Sequence, residues 1–129
     1  AILVDCHSMP HEAMDGVARG AIRGPEVVLG DRFGAAASAD VVDRIEAAFA
    51  AAGLVVTRNT PFAGAYITQA YGRPSRRQHA IQVEIDRAIY MDERRVQPNR
   101  NFEAVRDLLR RVIAEIADFR EFDLPMAAE

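Results

Sequence analysis

A carboxylate set in the middle of an alternating strand constrains this chain more than any other feature. In the run His79-Ala80-Ile81-Gln82-Val83-Glu84-Ile85-Asp86, the apolar Ile81, Val83 and Ile85 point to one face. Gln82, Glu84 and Asp86 point to the other. Burying a carboxylate among apolar neighbours is costly unless it is paired. Glu84 therefore needs a strong partner, such as a metal-bound water, or a chemical duty. A second unusual strand opens the chain: Ile2-Leu3-Val4-Asp5-Cys6-His7-Ser8 begins apolar and then offers Asp5 and His7 on one face. A strand ending in a metal-capable His, beside a strand with a lone Glu, points to metal-assisted hydrolysis.

The bulk properties narrow the class. A chain of 129 residues makes one domain with a real core. With 16 basic and 19 acidic residues the formal charge is -3, and no basic stripe with interleaved aromatics is present, which argues against nucleic acid as a partner. No apolar run approaches the ~20 residues of a membrane-spanning helix. The single cysteine, Cys6, excludes an internal disulfide and fits a reducing, cytoplasmic setting. The chain starts inside an apolar strand with no initiator Met, and the expectation is the C-terminal part of a longer domain.

Residues 1–7 read as a buried strand. Residues 8–25, with Pro10, Gly16, Gly20, Gly24 and Pro25, read as a long loop of the kind that often carries function. A strand follows over 26–31. Ser38 is a candidate N-cap for a helix whose Val41, Val42, Ile45, Ala48 and Phe49 recur at helical spacing and which Gly53 closes. Leu54–Thr57 is a strand, 59–64 a loop, 65–71 a short helix, and 79–86 the Glu84 strand. After Pro98, Asn99 or Asn101 caps a last helix with an apolar stripe from Phe102 to Phe119. The tail beyond Leu124 is expected to fray. Strands alternating with helices predict an α/β layered fold with a mixed, largely parallel sheet. Ligands gather beyond the carboxyl ends of such strands, where His7 lies.

Zinc hydrolases use a few His or carboxylate ligands and leave one position for water. Asp5 and His7 can face one site, with Asp5 fixing the imidazole tautomer. His11-Glu12 lacks the second His of a zincin helix and reads as exposed loop. Cys6 alternates away from His7 and reads as a small packed hydrophobe. Arg32, in a loop after a strand, suits a substrate carboxylate. A plain structural alternative for Glu84 is an ion pair with Arg32 or Arg87.

Five blocks occur in order: Asp5-Cys6-His7-Ser8-Met9-Pro10; Val28-Leu29-Gly30-Asp31-Arg32-Phe33-Gly34; Asn59-Thr60-Pro61-Phe62-Ala63-Gly64-Ala65-Tyr66-Ile67-Thr68; Tyr71-Gly72-Arg73-Pro74; and His79 to Met91. Together they resemble the C-terminal half of the N-formylglutamate amidohydrolase (N-formylglutamate deformylase) family. The resemblance implies a phosphorylase/hydrolase-like layered fold, incomplete at its N-terminus. It implies that His7 matches the third zinc ligand and Glu84 the general base and acid. Arg32, Asn59, Tyr66 and His79 would line the substrate pocket. The family's first two metal ligands come from an N-terminal motif with no counterpart here, so the zinc site of this chain is expected to be incomplete and the chain alone inactive.

The expected function is hydrolysis of an N-formyl or related N-acyl amino acid by a zinc amidohydrolase. The expected partner is a small molecule, not nucleic acid or membrane, with a homo-oligomer possible. The alternative is a non-catalytic scaffold or interaction domain without a complete metal site.

Overall fold

The computed structural model describes residues 1–17, 20 and 23–119. Four strands form its main sheet in the order β1-β4-β2-β3: β1 is Ile2–Met9, β2 Val27–Gly30, β3 Val56–Arg58 and β4 His79–Asp86. β1 pairs parallel with β4, β4 antiparallel with β2, and β2 parallel with β3. The α/β expectation and the mixed, largely parallel sheet both hold. Three helices accompany the strands: α1 (Ala39–Ala51), α2 (Tyr66–Tyr71) and α3 (Phe102–Ala117). A small hairpin, β5 (Met91–Asp92) with β6 (Gln97–Pro98), links β4 to α3. The hairpin leaves no local signature, because its strands of two residues each are too short to show a period.

One face of the sheet is the core. Val27, Leu29, Ile81 and Val83 pack there against Val41, Val42, Ile45, Ala48 and Phe49 of α1 and Val112 of α3. Each such fully buried aliphatic side chain contributes about 1.5–3 kcal/mol. α3 closes over this core with Leu108, Leu109 and Ile116, while Ile113 of the expected stripe turns outward and is exposed. At the end of α3, the Arg44 guanidinium of α1 lies 4.0 Å over the Phe119 ring. The expected fraying beyond Leu124 falls outside the described residues.

β1 differs from the buried strand expected. Among the described residues it pairs only with β4, so one edge is open, and Leu3, Cys6 and His7 are exposed. An edge strand shields fewer of its side chains than a central one. Cys6 is therefore not a packed hydrophobe. β4, by contrast, lies between two neighbours, and seven of its eight residues are buried.

Ser38 does occupy the N-cap position of α1, but its hydroxyl makes no capping bond. Its backbone N–H instead donates to Nδ1 of His79 at 3.1 Å. Gly53, at φ 89°, ends the helix as expected. The loop over 8–25 contains a short helical turn, His11–Met14. Its Met14 joins Met9 and Val28 in a small cluster on the second face of the sheet. No helix among the described residues is long and apolar enough to cross a membrane.

Candidate active site

The second face of the sheet gathers the polar side chains of β1 and β4. In the register of β1 on β4, Asp5 lies beside Gln82, His7 beside Glu84 and Met9 beside Asp86. Registered neighbours in a sheet point the same way, so the strand alternation puts all six side chains on this face. Val28 of β2, the partner of Glu84 on its other side, packs with Met9 and confirms the assignment.

Glu84 is 8% exposed and makes no ion pair with Arg32 or Arg87. Its Oε1 accepts a hydrogen bond from Nε2 of Gln82 at 2.8 Å. The Gln82 carbonyl, Oε1, in turn accepts the backbone N–H of Ala65 at 3.0 Å. That donor fixes the amide orientation: with its oxygen taken by Ala65, Gln82 must present its NH2 group to Glu84. A hydrogen bond to a carboxylate is of the stronger, charge-assisted kind. Gln82 is the partner that sequence reasoning missed, although it shares the parity of Glu84 on the same strand.

Gly30 makes this arrangement possible. It pairs with Gln82 across β2 and β4, and the Ala63–Gly64 peptide lies directly on it. A Cβ at Gly30 would fall 2.6 Å from the Ala63 carbonyl carbon and the Gly64 nitrogen. Without a side chain there, the loop settles on the sheet and delivers the Ala65 N–H to Gln82.

His7 is about half exposed, and its Nε2 lies 2.9 Å from Oδ2 of Asp5. This is the carboxylate–imidazole pairing that orients metal-binding histidines, and it leaves Nδ1 as the free ring nitrogen. Cys6 alternates to the other side of β1. Desolvation, and then the Asp5 carboxylate, push its thiol pKa up, which disfavours the thiolate.

Arg32 and Phe33 follow β2 with left-handed backbones, φ 55° and 54°. Such conformations are uncommon for residues with side chains and must be held in place. Asn59 does the holding: its Oδ1 accepts the N–H groups of Asp31 and Phe33, and its Nδ2 donates to Asp31 Oδ1. Asp31 Oδ2 accepts the Gly34 N–H, and the Arg32 N–H donates to the Ala63 carbonyl. Arg32 and Phe33 thus stand exposed on a braced tip. Asn59, expected to line the substrate pocket, is engaged in this brace. Tyr66 begins α2 next to Ala65 and is 73% exposed.

His79 is not brought to this place. It has the parity of Ile81 and Val83, points to the core face beside α1, and lies at the far end of β4 from Glu84. Burial pushes its pKa down. A groove of about 240 Å³ opens beside His7 and Ser8, but Ile85, Phe102, Val105 and Leu109 line it and Glu84 does not. It is an apolar crevice under α3.

Zinc can be tested against the donors present. Among the described residues, no group of three or more His, Cys, Asp or Glu side chains could hold a metal. His7 with Asp5 falls short of the three protein ligands that a catalytic zinc site needs.

A layered α/β domain thus sets a tethered imidazole beside a buried carboxylate on one sheet face. The N-formylglutamate amidohydrolase family matches residues 1–91. The N-formylglutamate deformylase of Pseudomonas aeruginosa is 39% identical over 98 residues, covering 72% of this chain and 34% of that relative. The N-formylglutamate deformylase of Pseudomonas putida is 34% identical over 98 residues, with the same coverage of 72% and 34%. The solved N-formylglutamate amidohydrolase from Ralstonia eutropha JMP134 superposes with a TM-score of 0.75 at 32% identity, covering 88% of this chain and 41% of that chain. The chain belongs to the N-formylglutamate amidohydrolase family. It spans about a third of the length of these curated relatives.

Proposed function

We propose that this chain supplies part of the active site of an amidohydrolase that cleaves an N-formyl amino acid, N-formylglutamate first among them. Water adds to the formyl carbon, the C–N bond breaks, and formate and the free amino acid leave. The observation that carries this reading is the registered pair His7 and Glu84 on one sheet face. The names of the similar proteins support the substrate class.

In this reading Glu84 takes a proton from the attacking water and returns it to the departing amine. Gln82 holds Glu84 in place by the 2.8 Å hydrogen bond. Arg32 binds a substrate carboxylate from its braced tip, and Tyr66 flanks the entrance. Zinc is part of the proposal: His7 contributes one ligand, and the remaining ligands come from outside the described residues. Zinc, when bound, lowers the pKa of its water to about 7 and polarises a carbonyl. The lone cysteine and a small polar substrate favour a cytoplasmic setting.

Two measurements on the full-length protein test the proposal. Zinc content at one equivalent, with formate release from N-formylglutamate above other N-acyl amino acids, is the expected result. Absence of zinc after loading, together with no hydrolysis across an N-acyl panel, returns the fold to a scaffold role.

A further inference from the structure

Beyond Glu84 on the same face of β4 lies a second pair that the proposed mechanism does not use. Asp86 is 3% exposed, yet Oδ2 accepts a hydrogen bond from His11 Nδ1 at 2.7 Å and Oδ1 accepts the Ala88 N–H at 2.9 Å. The His11 side chain is 63% exposed, so its other ring nitrogen, Nε2, faces outward from a fixed ring. The short turn that carries it is tied down as well, since the His11 N–H donates to Glu93 at 3.1 Å.

The charges around the ring favour the imidazolium. The Asp86 hydrogen bond and charge raise the His11 pKa, and Asp15 on the same turn and Glu93 add to the effect. Arg87, the nearby cation, is turned to Ser8 and reaches Glu93 at 4.0 Å. Position completes the argument. Asp86 is one pleat beyond Glu84, about 6–7 Å along the strand, and at the carboxyl ends of β1 and β4 where ligands collect. Arg32 approaches from the opposite side, past Gly30 in the row of Gln82. Along the strand, the row of Glu84 therefore lies between His11 and the loop that carries Arg32.

We propose that His11, held by Asp86, is a substrate-contacting cation that binds one carboxylate of the bound amino acid while Arg32 binds another. The proposal rests on the amidohydrolase reading and names the substrate class as N-acyl amino acids with two carboxylates. Asp86 is its positioning residue.

The test uses the full-length protein and three substrates: N-formylglutamate, its side-chain amide N-formylglutamine, and its α-carboxamide. His11→Gln raises KM for N-formylglutamate about five- to tenfold with kcat held within roughly twofold. KM for one of the two neutralised substrates stays as in wild type, because the carboxylate that His11 reads is already gone. His11→Lys, which restores a cation, recovers a low KM. An unchanged KM, or an equal rise for all three substrates, overturns the proposal. If the wild type hydrolyses none of them, the amidohydrolase reading fails, and NMR decides the inference alone. A saturable shift of the His11 Cε1–H signal on adding glutarate, lost in Asp86→Asn, supports it; no shift overturns it.

Discussion

Gln82 stands between the backbone and the acid: its carbonyl takes the Ala65 N–H at 3.0 Å, and its NH2 group donates to Glu84 at 2.8 Å. A loop residue, through one side chain, thereby sets where a buried carboxylate points. Gln82→Leu should leave the Ala65 N–H and the Glu84 oxygen without partners. The expected loss is about 1–3 kcal/mol of stability for the stranded groups, read by urea unfolding. Turnover should fall as Glu84 loses its fixed orientation.

Glu84→Gln removes the charge but keeps an oxygen for Gln82 to bond. Folding should survive, with denaturant midpoints near those of wild type. Formate release by the full-length protein should drop by about 10²–10⁴, the range for a lost general acid–base group. Near-normal turnover would remove Glu84 from the mechanism.

Asn59→Ala tests the brace under Arg32. The left-handed Arg32 and Phe33 would lose the side chain that accepts the N–H groups of Asp31 and Phe33, and Asn59 is itself at φ 60°. A cost of about 1–3 kcal/mol is expected for the strained conformations left unsupported. KM should rise more than kcat falls, since Arg32 is proposed to bind rather than react. A change confined to kcat would place Asn59 in the chemistry instead.

Gly30→Ala brings a methyl to 2.6 Å from two backbone atoms of the 63–64 peptide. Backbone cannot yield as a flexible side-chain end can, so the loop must lift. The expected cost is about 1–3 kcal/mol. Loss of protection at the Ala65 amide, followed by hydrogen exchange, would report the lifted loop directly.

Two histidines should pull stability in opposite directions around their ordinary pKa of 6.5. His79 has a lowered folded pKa, so the unfolded chain binds its proton first. Its stabilising share is present above 6.5 and is lost as pH falls toward the folded value. His11 has a raised folded pKa. Its share is complete below 6.5 and disappears as pH rises through the folded value. Unfolding curves from pH 5 to 8 should therefore flatten on the acid side in His79→Gln and on the alkaline side in His11→Gln.

The contrast between β4 and β1 explains what was legible in the sequence. The limits of β4 and the faces of Glu84 and Ile81 follow from strict alternation, which any central strand must obey to fill a core on one side. β1 shows a similar pattern, but its exposure depends on how many neighbours it has, and a single strand does not encode that count. The hydrogen bond from Ala65 to Gln82 joins residues far apart in the chain, so no local spacing announces it. The pair His11 and Asp86 is hidden for the same reason: His11 reads as loop until the fold lays it against the end of β4. Belonging to a family-like block says nothing about which side of a strand a residue faces, and His79 faces the core beside α1.

The antiparallel pairing of β2 with β4 has a consequence for size selection. It sets Gly30 one pleat along from the acid and the braced tip beyond it, so the spacing from the acid to the root of that tip is fixed by the pitch of a strand. Under the proposed function such a surface would work as a gauge: a compound of single-residue length would fit between the marks, and a longer peptide would overrun them.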